Sequence, residues 1–209
     1  MQGKTNLTFA ATLLALFALV TTITYTFTTA AAAGTPAPNE ETELGYIDLT
    51  LMHHDDGIKM AALAEGKAES AAVKSFAAKT REEQEKDKAD LQEHRDRLYA
   101  GKPKMESMRT KAKRVTAGEM QAEAARDMEK LQAASGTEFD RLFLETMKKH
   151  HKMAIDMSKA VIPKADHAEI KSFARMTVSK QTKEIAEMNK IQRALGGKGA
   201  AVGRPGAGR

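Results

Sequence analysis

Apolar residues recur along most of this chain in steps of three and four, the spacing of amphipathic helices. The clearest stretch runs from about 166 to 195. There Ile170, Ala174, Thr177, Gln181, Glu184, Met188, Ile191 and Leu195 form a heptad-like stripe with polar residues at its middle. A second helix is predicted over about 138–162, stopped by Pro163, with Asp166 as N-cap of the helix that follows and Gly196-Gly197 as its end. The first half reads in parallel. A helix is predicted over about 43–65, broken at Gly66, and another over about 69–99, ended by Gly101-Lys102-Pro103. Its stripe is Val73, Ala77, Thr80, Gln84, Asp87, Leu91, His94 and Leu98.

The parallel is an internal duplication. Sliding the chain by 97 residues aligns 45–98 with 142–195 without a gap, and sixteen of the 54 positions are identical. Among them are His53/His150, His54/His151, Met60/Met157, Thr80/Thr177 and Gln84/Gln181, and Lys74-Ser75-Phe76-Ala77 recurs as Lys171-Ser172-Phe173-Ala174. Repeat one is placed at 43–100 and repeat two at 138–195. Residues 104–134 between them are helical in composition and are expected as a connecting helix, either a crossover or an added layer. Two helical hairpins joined by a long connection predict an all-α, ferritin-like four-helix bundle over 43–195 with a pseudo-two-fold axis.

Composition agrees with that class and adds a compartment. Aromatics make up 5 % of the 209 residues, Trp is absent, and the helix formers Ala, Lys, Glu and Met dominate. Lys4 is the only charge before Glu40, an apolar run spans Leu7 to Val20, and Ala31-Ala32-Ala33 precedes Gly34. Residues 1–33 therefore read as a secretory signal, with an uncleaved anchor as the alternative, and 34–42 as a linker. A periplasmic or secreted location follows, with no membrane contact once the signal is removed. The chain has no Cys, so an exported form has no disulfides and a soft-metal site would have to use thioether or imidazole. The net charge of +5 is spread over interspersed signs, and no basic block is interleaved with aromatics, which argues against nucleic acid. Residues 196–209, rich in Gly, read as a disordered tail.

The residues suited to chemistry lie on the first helix of each repeat. Met147, His150, Met153/Ala154 and Met157 share one face, with His151 about 100° round. His53, His54 and Met60 hold the matching places in repeat one. Imidazole with thioether is a ligand set for copper, above all Cu(I). Because a His and the Met seven residues on stand about 10 Å apart along one helix, ligands would come from a ladder of sites or from different helices. The candidate metal ligands are thus His53, His54, Met60, Met147, His150, His151 and Met157. Gln84 and Gln181, set inside apolar stripes, either fix register through a core hydrogen bond or hold a histidine ring for the metal. The same Met pattern also suits plain core packing. Met105, Met108, Met120 and Met128 are assigned to packing of the connecting helix, with a supplementary copper surface there as the alternative, His94 to the stripe and His167 to a solvated helix start.

Phe139-Asp140-Arg141-Leu142-Phe143 through Met147-Lys148-Lys149-His150-His151 to Ala154-Ile155-Asp156-Met157 resembles the signature of the family of exported helical proteins called domain of unknown function 305. The family pattern of Asp, Phe, Met, His-His, Ala-Ile and Met falls on Asp140, Phe143, Met147, His150-His151, Ala154-Ile155 and Met157. Its second-helix Gln, Glu-Ile and Met fall on Gln181, Glu184-Ile185 and Met188. Repeat one departs at Thr50, Gly57 and Leu91 but keeps His53, His54, Met60 and Gln84. The resemblance implies a four-helix bundle and copper binding.

The leading expectation is a non-enzymatic exported protein that sequesters or hands over copper, Cu(I) and/or Cu(II), or silver. Its partners would be the metal ion and other copper-handling proteins, with homo-oligomerisation left open. A structural or envelope-stress helical module is the alternative. A ferritin-like metal oxidase ranks lower, because that chemistry uses Glu-x-x-His and none of the six histidines has Glu three residues before it.

Overall fold

The computed structural model describes residues 38–200. The expected signal sequence 1–33, the start of the linker and residues 201–209 lie outside the described residues. Five helices and one short hairpin follow in the order α1 (Pro38–Lys67), α2 (Ala71–Leu98), β1 (Ser107–Arg109), β2 (Arg114–Thr116), α3 (Ala117–Ala133), α4 (Gly136–Val161) and α5 (Ala168–Ala200). The fold is an all-α four-helix bundle. Helices α1 and α2 form one hairpin, α4 and α5 the other, and α1 packs along α4 while α2 meets α5.

The duplication extends to the way each hairpin is closed. Asp140, buried on α4, accepts the backbone N–H of Glu69 at 3.0 Å and of Ser70 at 2.7 Å. Glu43, buried on α1, accepts those of Asp166 at 2.6 Å and His167 at 3.1 Å. Residues 43, 69 and 70 shifted by 97 are residues 140, 166 and 167. Each repeat therefore supplies the carboxylate that satisfies the orphan N–H groups before the other repeat's second helix. This replaces the expected role of Asp166 as N-cap; its own carboxylate accepts from Asn39 instead.

Four further boundaries differ from the sequence expectation, the first being that α1 begins at Pro38, inside the expected linker 34–42. Helix α1 runs through Gly66 to Lys67, and α5 runs through Gly196-Gly197 to Ala200. A glycine costs a helix about 1 kcal/mol, which a long, already nucleated helix absorbs. The connecting segment is not helical throughout: it opens as an antiparallel hairpin with Met108 opposite Val115. These two apolar residues sit between polar neighbours with period two, the strand pattern, and both are buried. The hairpin presses on α1 so closely that a Cβ on Gly45 would lie 2.8 Å from the Ser107 carbonyl oxygen. Buried Arg95 ties it down, donating to Asp48 at 2.8 Å and to the Lys102 carbonyl at 2.9 Å, while Asp48 accepts Met105 N–H at 2.8 Å. A Thr116–Glu119 capping box then starts α3, which lays Met120 and Leu131 against the bundle.

The core is split in two. One apolar cluster gathers Leu44, Ile47, Leu49, Leu91, Met157 and Val161 around the start of α1. The other gathers Met60, Val73, Phe76, Phe139, Phe143 and Met147 around its end. Because α1 and α4 run antiparallel, the middle of each falls between the clusters. A belt of buried polar residues fills that middle: Thr50, His53, His54, Thr80, Gln84, Asp87, His151, Thr177, Gln181 and Glu184.

Candidate metal centre

Where α1 crosses α4, the two adjacent-histidine pairs meet. The rings of His53 and His150 stack with centroids 3.5 Å apart and planes inclined by 22°. Nε2 of His53 lies 3.1 Å from the His150 carbonyl oxygen, and Nε2 of His150 lies 3.0 Å from the His53 carbonyl oxygen. A carbonyl has no proton to give, so both Nε2 atoms must carry one and donate it. In a neutral ring that leaves Nδ1 with a bare lone pair. Both Nδ1 atoms are buried and have no hydrogen-bond partner.

Burial keeps the rings neutral. Desolvation, then the charge of His150, pushes His53 well below the ordinary histidine value. Desolvation also takes His54, His150 and His151 down to about 3, helped for His54 and His150 by repulsion from a neighbouring ring, while His151 is raised by Glu83 and lowered, like His54, by the Lys180 ammonium. His54 and His151 point to the inner side of the stack, toward α2 and α5. His151 Nε2 lies 2.7 Å from Glu184 Oε2 in an ion-pair contact, while Nδ1 of His151 and both nitrogens of His54 have no hydrogen-bond partner. Glu184 in turn meets Glu83, whose carboxyl is raised by that hydrogen bond and by burial. Asp87 takes both of its contacts from Lys180, at 2.9 and 2.7 Å.

Gln84 and Gln181 reach this belt from α2 and α5. Neither amide oxygen of the two has a partner, nor does the Gln84 nitrogen. All twelve buried, unpartnered side-chain polar atoms among the described residues belong to Thr50, Thr80, Glu83, the two glutamines and the four histidines. Natural cores satisfy such atoms almost without exception, through protein groups, ordered water or an ion.

On the outer side of the stack is a cavity of about 30 Å³, lined by His53, His150, Met60, Met120 and Met153, with Asp56 at its edge. The sequence-predicted ligands thus divide. His53, His150 and Met60 share this cavity, and His54 and His151 lie behind it. Met147 and Met157 are fully buried in opposite apolar clusters, where they pack and do not line the cavity. Two lining residues were absent from the predicted ligand set. Met153 carried a signal, three residues past His150 on the same face. Met120 was assigned to packing of the connecting helix, with a supplementary copper surface as the alternative, and the docking of α3 brings it to the cavity. His94 lies at the surface beside Arg97, and His167 binds Glu43 at 2.6 Å, both away from the centre. Among the described residues no three His, Asp or Glu side chains converge as a metal-ligand group. The cavity is lined by two imidazoles, three thioether side chains and the carboxylates of Asp56, Glu123 and Asp127, the last two engaged by Lys149; imidazole with thioether is a pairing that suits a soft ion.

No curated protein matches the chain. Solved structures match in fold. A putative secreted protein DUF305 from Streptomyces coelicolor is 20 % identical, over 74 % of this chain and 92 % of that one, with a TM-score of 0.60. A DUF305 fragment from Deinococcus radiodurans is 24 % identical, over 77 % and 97 %, with a TM-score of 0.59. CopM in its Cu(I)-bound form is 23 % identical, over 73 % and 96 %, with a TM-score of 0.58. The family model described as domain of unknown function (DUF305) matches residues 43–192, the two repeats with their connection, and the chain belongs to that family.

Proposed function

We propose that this protein is an exported, non-catalytic carrier of a soft monovalent metal ion, copper(I) or silver(I), which it sequesters or hands to other copper-handling proteins. The observation that carries this reading is the reciprocal brace of His53 and His150. It fixes both tautomers and leaves two bare Nδ1 lone pairs in a water-poor interior, with the Met60 sulfur lining the same cavity. Leaving a buried polar atom unbonded costs about 1–3 kcal/mol, and a cation accepting those lone pairs would remove that cost. Neutral imidazole and thioether need lose no proton to bind it. His54 and His151 supply the remaining unbonded nitrogens, with Gln84 and Gln181 as the groups that would steady the rings. CopM, similar in fold, has been solved with Cu(I), with Cu(II) and with Ag, which supports the metal class. The signal-like residues 1–33 support a periplasmic or secreted location. No described helix is long and apolar enough to cross a membrane.

The test is competition for Cu(I) against a chromogenic chelator, run beside Cu(II) and Zn(II) and beside a His150→Ala/His151→Ala variant. Tight Cu(I) capture that the variant loses is the expected result. A wild-type protein that captures no Cu(I) would overturn the reading.

A further inference from the structure

The cavity at the histidine stack has walls from three separate parts of the sequence: α1, α4 and the inserted helix α3. It shares Glu123, Lys149 and Met153 with an open cleft of about 680 Å³ that runs between the hairpin, α4 and α5. That shared wall is where the cavity approaches solvent. Met153, half-buried, belongs to both spaces. Met120, buried on α3, faces only the inner one. Lys149 is engaged by Glu123 and Asp127 of α3, and Asp56 pairs with Lys59, so the mouth carries more carboxylate than ammonium charge.

We propose that Met120 and Met153 form a receiving site for a soft monovalent cation, through which it passes to His53 and His150. The inference rests on the metal-binding reading above and deepens it. Two thioethers are neutral and polarisable. They accept Cu(I) or Ag(I), discriminate against hard cations, and hold the ion weakly enough to release it. The transfer is a ligand exchange. A sulfur lone pair leaves the ion as an imidazole Nδ1 lone pair takes its place, and no electron or proton moves because the hydrogen bonds to the carbonyls already hold each ring proton on Nε2. The segment that carries Met120 lies between the repeats. The entry site therefore takes one sulfur from the insertion and one from repeat two, while the histidines come from the duplication.

The experiment uses purified protein carrying carbon-13 methyl-labelled methionine, titrated with Ag(I), with resonances assigned from Met120→Leu and Met153→Leu. The Met120 and Met153 methyls are expected to shift at the first additions while those of Met147 and Met157 stay fixed. They should still shift in a His53→Ala/His150→Ala variant that no longer retains the ion. Stopped-flow capture of Cu(I) from a chelator by Met120→Leu/Met153→Leu should slow by at least about tenfold relative to wild type. Unmoved methyls, or capture as fast as wild type, overturn the entry site while leaving the histidine site standing. Failure of the wild type to bind any ion overturns both. If the double variant unfolds, the methyl shifts in the wild type decide alone.

Discussion

Gln84 Oε1 occupies the space that a side chain on Gly57 would need: a Cβ there would lie 2.1 Å from that oxygen and 2.7 Å from His150 Cε1. At the matching place in repeat two stands Ala154. What reads as a departure from the family pattern is thus the gap through which Gln84 reaches His150. In a helix interior Gly→Ala ordinarily gains about 1 kcal/mol. Here Gly57→Ala is expected to cost about 1–3 kcal/mol, since the glutamine and the ring must both move. Denaturant unfolding checks this, and a gain in stability would show that both side chains yield freely.

Acid should unfold the apo-protein earlier than its carboxylates alone dictate. Each of the four stacked or adjacent histidines has its folded-state value lowered, to about 3 for His54, His150 and His151. An unfolded histidine takes its proton near pH 6.5, so below that the unfolded chain binds more protons than the folded one. Stability is full above about pH 6.5 and falls as the pH drops from there toward 3, with a limit of about 1.4 kcal/mol per pH unit for each ring. Asp56, Glu83 and Asp87 are shifted upward, so they take up protons more readily in the folded chain and oppose this trend. The urea midpoint should therefore fall between pH 7.5 and 5.5, and a His53→Leu/His150→Leu variant should show a shallower fall. An unchanged midpoint in the wild type would mean that the rings are solvated.

The methionines should separate by function. Met147→Leu and Met157→Leu conserve volume in closed apolar clusters and are expected to cost less than about 1.5 kcal/mol, with Cu(I) affinity retained. Met60→Leu conserves packing equally but removes a sulfur from the cavity, so affinity should fall. Chelator competition on the three variants distinguishes them. Equal losses in all three would place the ion inside the clusters.

Asp140→Ala should destabilise without touching the metal centre. It strands the N–H groups of Glu69 and Ser70 that its carboxylate accepts. Hydrogen bonds to a charged group contribute about 1.5–3 kcal/mol each, and Glu43→Ala should behave alike at the other hairpin. Urea unfolding measures the loss, and unchanged Cu(I) affinity in the folded variant confirms that this signature aspartate acts on the fold. Lost affinity with intact stability would assign it to the site instead.

The repeat, the four long helices and the His-His pairs were legible in the sequence because each is local or periodic. A 3.6-residue period shows in a single segment, and a duplication shows as identity at a fixed offset, wherever the segments end up in space. The same locality explains the boundary errors at Gly66 and Gly196, where a residue's own preference was outweighed by the helix on either side. It also explains the hairpin at 107–116, whose alternation spans only three residues per strand. The division among the predicted methionines could not be read this way, since Met147 and Met157 share a helix face with His150 but reach opposite cores.

By itself the sequence determined a duplicated, cysteine-free helical chain with soft-metal donors at two equivalent places. Only the tertiary structure decided that His53 and His150 brace one another, that Gln84 passes over Gly57, and that α3 brings Met120 to the same cavity. These contacts join residues tens of positions apart. They depend on how antiparallel helices cross and which faces they bury, and on where an insertion finds room to dock. No spacing within one segment encodes them.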